Sequence, residues 1–238
     1  MTKWLIGLIL APTALGAAAA SLRLMGTLFS DARRTWPFLV GFAGYPLAWL
    51  YLFRAGRAYV FGHELAHAVA GWMSGARVLG FAVRDKGGHV DLSHSNIFIA
   101  LAPYIVPIYA VGVVFLYRLL VWLSPPAGPW AAVAHDAFLL GMGLALGFHF
   151  LHTAEVLWAR RQPDLDQAGG IFFSVVLIVL FNAVFLGLAM KCLFPGAVSV
   201  SRFAGWTWAI TREAWAGLGA VVLAGWEKLL GARETFSR

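Results

Sequence analysis

Apolar residues fall into long stretches that recur from one end of the chain to the other, separated by short polar breaks. Most of these stretches approach the roughly 20 residues that a helix needs to cross a bilayer. The pattern predicts helices over about residues 4–29, 36–53, 58–73, 97–123, 130–158 and 171–194. The second is interrupted by Gly44 and Pro46 and the fourth by Pro103 and Pro107, breaks that a membrane bundle can absorb. After Ser74-Gly75 the texture changes. Residues 76–84 and 88–93 alternate apolar and polar positions around Asp85-Lys86-Gly87-Gly88, which reads as a β-hairpin. From Pro195 onward, Trp206, Trp208, Trp215, Leu218, Val222 and Leu229 recur at helical spacing among Arg212, Glu213, Glu227 and Lys228. The uninterrupted apolar core of that tail is only about a dozen residues, which suits an interfacial helix and not a crossing one. The expected fold is therefore an all-α polytopic membrane protein. It has about six transmembrane helices, a small β-hairpin after the third, and a C-terminal interfacial helix.

Two features of this pattern carry alternatives. The first segment has a basic start at Lys3 and small residues in an A-x-A arrangement, as a cleaved signal peptide would. Its apolar run continues past Ala20 through Leu22, Leu24, Met25 and Leu28, and an uncleaved helix is the preferred reading. The basic residues suggest a path: Arg33-Arg34, the hairpin and Arg160-Arg161 inside, the uncharged Ser124-to-Pro129 loop outside. Arg54 and Arg57 run against that path.

Composition agrees with the pattern. Of 238 residues, 61% are hydrophobic and 12% charged, and the mean hydropathy is +0.76, which excludes an ordinary soluble domain. The formal net charge of +7 could point to nucleic acid. The basic residues are scattered between apolar segments instead of forming a stripe, so contact with the lipid bilayer is expected and nucleic acid is not. Cys192 is the only cysteine, which excludes an internal disulfide and a cysteine-based zinc site. A single integral-membrane domain over 1–238 is expected, with its core at about 58–194.

The chemistry concentrates in the third segment, where His63-Glu64-Leu65-Ala66-His67 forms an HExxH motif inside an Ala-rich run. Two histidines four residues apart share one helix face, which is zinc-ligand spacing. Glu64 is not needed as a ligand and is free to take a proton from a metal-bound water. Ionisable residues in an apolar segment are costly without partners, which favours a functional role. The competing reading is an interfacial helix whose polar face resembles the motif. A catalytic zinc needs a third protein ligand and an open fourth position. Asp164 and Asp166, at the mouth of the sixth segment, are the first candidates, with His149 or His152 as substitutes. Both aspartates also fit as helix caps. His149, His152 and Glu155 share a rough face and either line the metal cavity or make hydrogen bonds within the bundle. His89 and His94 belong to the hairpin region and are placed off the metal.

An HExxH in a membrane helix, a following hairpin, a proline-bearing helix and an aspartate at a later helix start together resemble the site-2 protease family of intramembrane zinc metalloproteases. The similarity covers about residues 61–186. The resemblance implies one Zn2+ per chain held by His63, His67 and an aspartate, with Glu64 activating water. It also implies endopeptidase activity on a transmembrane protein or peptide and a multi-pass place in a bacterial-type inner (cell) membrane. The family's N-P-D-G motif corresponds to Gln162-Pro163-Asp164 here and its L-D-G spelling to Leu165-Asp166. Asp164 is preferred because its Pro-Asp step is intact, whereas Asp166 lacks the following glycine. The family's G-P-x-x-N helix becomes Ala102-Pro103-Tyr-Ile-Val-Pro107 without an asparagine, and Asn182 is the candidate substitute for that residue's substrate-positioning role. The alternative function is a non-proteolytic membrane metal-binding scaffold or transporter, although no internal repeat of the kind transporters show is visible.

Overall fold

The computed structural model describes residues 2–52, 56–84, 87–159 and 162–236. Arg54, Asp85, Lys86, Arg160 and Arg161 lie outside the described residues, as does the Leu229 side chain, so the orienting arginines of two loops and the hairpin tip have no structural counterpart here. The elements follow the apolar pattern closely. They are α1 (Thr2–Ser30), α2 (Ala32–Tyr51), α3 (Gly56–Met73), β1 (Val78–Arg84), β2 (Gly87–Leu92), α4 (Ile97–Ile105), α5 (Ile108–Leu123), α6 (Pro129–Ala159), α7 (Pro163–Ala168), α8 (Ile171–Leu193) and α9 (Val200–Phe236). The chain is mostly helical, with one small antiparallel two-stranded sheet in which Arg84 pairs with Gly87.

The number of crossings is smaller than expected. Among the described residues, α1, α6 and α8 are long and apolar enough to cross a membrane. The pair α4 and α5 qualifies jointly but is bent by 71° at the break between them, so it is one broken span or a re-entrant loop. That makes three or four, not six. Helix α2 loses apolarity to Arg33, Arg34 and Thr35 and carries Pro37 and Pro46 within it. Helix α3, with 18 residues, is about 27 Å long and includes Arg57, Glu64 and both motif histidines. Large apolar side chains such as Leu15, Leu22, Phe115, Leu116 and Leu188 stand exposed on α1, α5 and α8, which suggests association with a membrane.

Small residues decide how closely the helices approach. Gly41 of α2 lies against the Leu140 carbonyl of α6, and Gly143 of α6 lies against the Phe38 carbonyl of α2, so a Cβ at either position would collide with backbone. This is small-residue packing of the kind that brings membrane helices together. Helix α1 packs between α8 and α9, with Gly16 close to Thr207 and Thr211. Lys3 donates to the Ala168 carbonyl at the end of α7, at 2.9 Å, so the first helix is built into the bundle. The first part of α9 is this packed segment. Its later residues, including Val221, Val222, Leu223 and Trp226, are exposed, and the helix as a whole is not apolar enough to qualify as a span.

Around the motif, the small Ala66 and Ala70 of α3 pack with Ile99 and Ala102 of α4, so that alanines form most of the contact between the helices. Helix α3 ends in a Schellman turn. Gly75 adopts φ +78°, the Ala76 amide donates to the Gly71 carbonyl at 2.8 Å, and the Gly75 amide donates to the Trp72 carbonyl at 3.0 Å. The turn feeds directly into the hairpin, whose Leu92 packs on Gly71 and folds the sheet back over α3.

A Gly143→Leu variant should test the helix contact. Overpacking of this kind costs roughly 1–3 kcal/mol, so the detergent-solubilised protein should melt at lower temperature. Gly112→Ala on α5, where the added Cβ meets nothing within 4 Å, should leave melting unchanged or raise it.

Candidate metal centre

The position of His67 begins with a missing hydrogen bond. Within α4 the carbonyl of Ile99 would ordinarily accept from the amide four residues later, but that residue is Pro103 and has no N–H. The freed carbonyl accepts from His67 Nδ1 at 2.8 Å. A carbonyl only accepts, so Nδ1 carries the proton and Nε2 of the neutral ring is left as a lone pair. His63, one turn earlier, has its Nδ1 3.1 Å from the Tyr59 hydroxyl. The Tyr59 hydroxyl can accept a hydrogen bond from that Nδ1, and in that tautomer Nε2 is likewise free. The two Nε2 atoms stand 3.3 Å apart.

The third group comes from the other side of the bundle. Pro163 opens α7 at a position where its missing N–H costs nothing. Leu165 is buried among Leu101, Tyr104 and Ile178, and its carbonyl accepts from the Gly170 amide at 2.8 Å and from the Ser174 hydroxyl at 3.0 Å. Gly169, at φ +140°, and Gly170, at φ +101°, turn the chain from α7 into α8. With α7 pinned in this way, Asp164 Oδ2 lies 3.3 Å from His63 Nε2 and 3.5 Å from His67 Nε2. The Tyr104 hydroxyl donates to the same oxygen at 2.9 Å. Asp166 is two residues further on, and residues two apart on a helix do not face the same way. It is exposed and stands outside the group.

The three atoms suit a cation. In a tetrahedral zinc site with bonds of about 2.0–2.1 Å, ligand atoms lie about 3.3–3.4 Å apart; the observed edges are 3.3, 3.3 and 3.5 Å. Two imidazole lone pairs and a carboxylate oxygen this close repel one another unless something positive lies between them. One shared proton would relieve a single edge, whereas a divalent ion relieves all three. Burial alone would raise the Asp164 carboxyl. In the ion-free protein a proton on either imidazole Nε2, together with the Tyr104 hydroxyl, would outweigh burial and hold the group well below the usual carboxylate range, so a cation or a shared proton is what this carboxylate calls for. Among the described residues, His63, His67 and Asp164 thus form a group that could hold a metal ion.

Glu64 is buried on α3 beside this group. The hairpin covers it: a Cβ on Gly88 would sit 2.7 Å from Glu64 Cγ and 2.8 Å from the Ala82 carbonyl. The same region opens as a cleft lined by His63, Glu64, His67, Asp164, Gln167 and β2.

The remaining sequence candidates fall elsewhere. His152 donates through Nδ1 to Glu155 at 3.0 Å and accepts through Nε2 from Tyr45 at 2.8 Å. His149 Nε2 meets Asn182 Oδ1 at 2.9 Å. Both histidines make hydrogen bonds within the bundle and also line a small cavity with Tyr59 and His63, and among the described residues neither joins the metal group. Asn182 commits both amide hydrogens to the carbonyls of Tyr104, at 2.6 Å, and Ile178, at 2.8 Å. It therefore does not present its amide to the cleft as a stand-in for the family's asparagine. His89 is exposed beside Asp91, 3.9 Å away, and His94 is exposed. Tyr59 and Tyr104 were missed. Tyr59 precedes His63 by four residues and shares its helix face, a signal that was available. Tyr104 carried no such signal, because its role depends on the approach of α7.

Comparison of the chain with protein-family models, with curated proteins and with solved structures finds no match. Geometry and chemistry alone speak for this site. Purified protein should bind about one equivalent of zinc, and His67→Ala and Asp164→Asn should each lose it in elemental analysis while Asp166→Asn keeps it.

Proposed function

We propose that this chain is an intramembrane zinc metalloprotease of the site-2 protease type, a multi-pass protein of a bacterial-type inner membrane that hydrolyses peptide bonds of membrane-embedded substrates. The observation that supports this most is the convergence of His63, His67 and Asp164 from α3 and α7, with Glu64 beside them and a cleft open to all four. One divalent ion per chain would be held by the two Nε2 atoms and Asp164. When bound, such an ion supplies Lewis acidity, polarising a carbonyl and making a nearby water acidic at neutral pH.

The protein's own groups do the rest. Glu64 takes the proton of the attacking water as its oxygen bonds to the carbonyl carbon, and returns that proton to the amine nitrogen as the C–N bond breaks. Burial under Gly88 restricts where the Glu64 carboxylate can go and keeps bulk water from it on that side. A substrate helix must unwind to expose a peptide bond, and the hairpin along the cleft offers strand edges to an extended segment.

A Glu64→Gln protein should retain zinc and lose cleavage of a co-expressed membrane substrate by at least about a hundredfold, in line with the contribution of general base catalysis. Wild-type turnover by that variant would remove the mechanism. Tight zinc binding with no cleavage of any membrane peptide would favour a metal-binding scaffold or transporter instead. Gly88→Val should keep the metal and lower turnover by displacing Glu64, as followed by gel-based cleavage and zinc content together.

A further inference from the structure

Two polar residues in the apolar middle of the bundle, His149 and Asn182, have no place in the hydrolytic steps above. Both are buried, and their side chains meet each other and the end of α4. The end of α4 explains why. Val106 is extended and Pro107 follows, so the helix stops at Ile105, and the Ile108 amide that would have bonded to Tyr104 donates to the Val106 carbonyl instead, at 2.8 Å. The Tyr104 carbonyl is therefore one of the orphan acceptors that every helix leaves at its C-terminus. Asn182 of α8 satisfies it at 2.6 Å. Because Asn182 Oδ1 accepts from His149, the His149 proton must sit on Nε2, and that bond fixes which way the asparagine amide faces.

The side chain of the same Tyr104 is fully buried and donates to Asp164 at 2.9 Å, on the oxygen that faces both histidines. We infer that His149, Asn182 and Tyr104 form a positioning relay that aims Asp164 Oδ2 at the metal, so that residues of α6 and α8 outside the ligand set tune metal affinity. Resting on the metal-site reading above, the relay adds residues that neither ligate nor touch substrate. Outer partners of metal ligands typically contribute 10–100-fold to affinity by fixing ligand orientation. Tyr104 contributes the last link and Asn182 the anchor. His149 orients the anchor.

The test uses full-length protein in detergent, stripped of metal and titrated with zinc against a chelating dye. Tyr104→Phe removes one oxygen and leaves Asp164, which faces the open cleft, to be hydrated there, and it should weaken zinc binding 10–100-fold while the metal-free protein melts close to wild type. His149→Leu should weaken binding as well, and His149→Gln, whose amide can donate to Asn182, should restore it. Bound Co2+ should report the same loss through altered visible absorption bands, a signature that general loosening of the bundle would not single out. Tyr104→Phe with wild-type affinity and wild-type cobalt bands overturns the relay alone. A wild-type chain that takes up no zinc overturns the metal reading and the relay together.

Discussion

Two imidazole nitrogens and a carboxylate oxygen are pressed within about a hydrogen-bond length of one another, each with an electron pair directed inward. In an apolar interior such an arrangement is unfavourable on its own, because weak screening magnifies the repulsion. It persists because each group is tethered from behind: His67 to a backbone carbonyl of α4, His63 to the Tyr59 hydroxyl, Asp164 to the Tyr104 hydroxyl. The carbonyl on His67 fixes its tautomer as well as its position. A vertex shaped for a small cation is the result, and the rest of the bundle can be understood as what holds the tethers still.

Proline and small residues supply that rigidity cheaply. Pro103 frees the carbonyl that His67 uses, and Pro107 ends the helix so that Tyr104 keeps its own carbonyl for Asn182. Ala66, Ala70 and Ala102 let α3 and α4 approach until an imidazole can reach backbone across the gap. Leu165 sinks into the apolar cluster beside Tyr104 and so turns Asp164 toward α3. The prolines that look like interruptions of membrane helices are in this chain the source of the acceptors on which the site is built.

Much of this was legible in the residues. Apolar run length located the helices to within a few positions, Ser74-Gly75 marked the end of α3, and period-two alternation marked the hairpin. The HExxH spacing put both histidines on one face, and the intact Pro-Asp step pointed to Asp164. Less visible was anything that depends on two distant segments meeting. Tyr104 reads as an ordinary aromatic until α7 arrives beside it. His149 and His152 look like ligands in one dimension, yet Asn182, Glu155 and Tyr45 already occupy them in three. The count of crossings was too high because prolines and charges within α2 and α3 weaken runs that otherwise look long enough.

The contact of α2 with α6 through bare backbone at Gly41 and Gly143 has a consequence for which parts of the bundle can yield. Where main chains touch there are no side chains to swing aside, so that seam behaves as a closed wall. The cleft beside His63, Glu64, His67 and Asp164 opens elsewhere, along β2 and α7, where its lining is largely side chain and can yield.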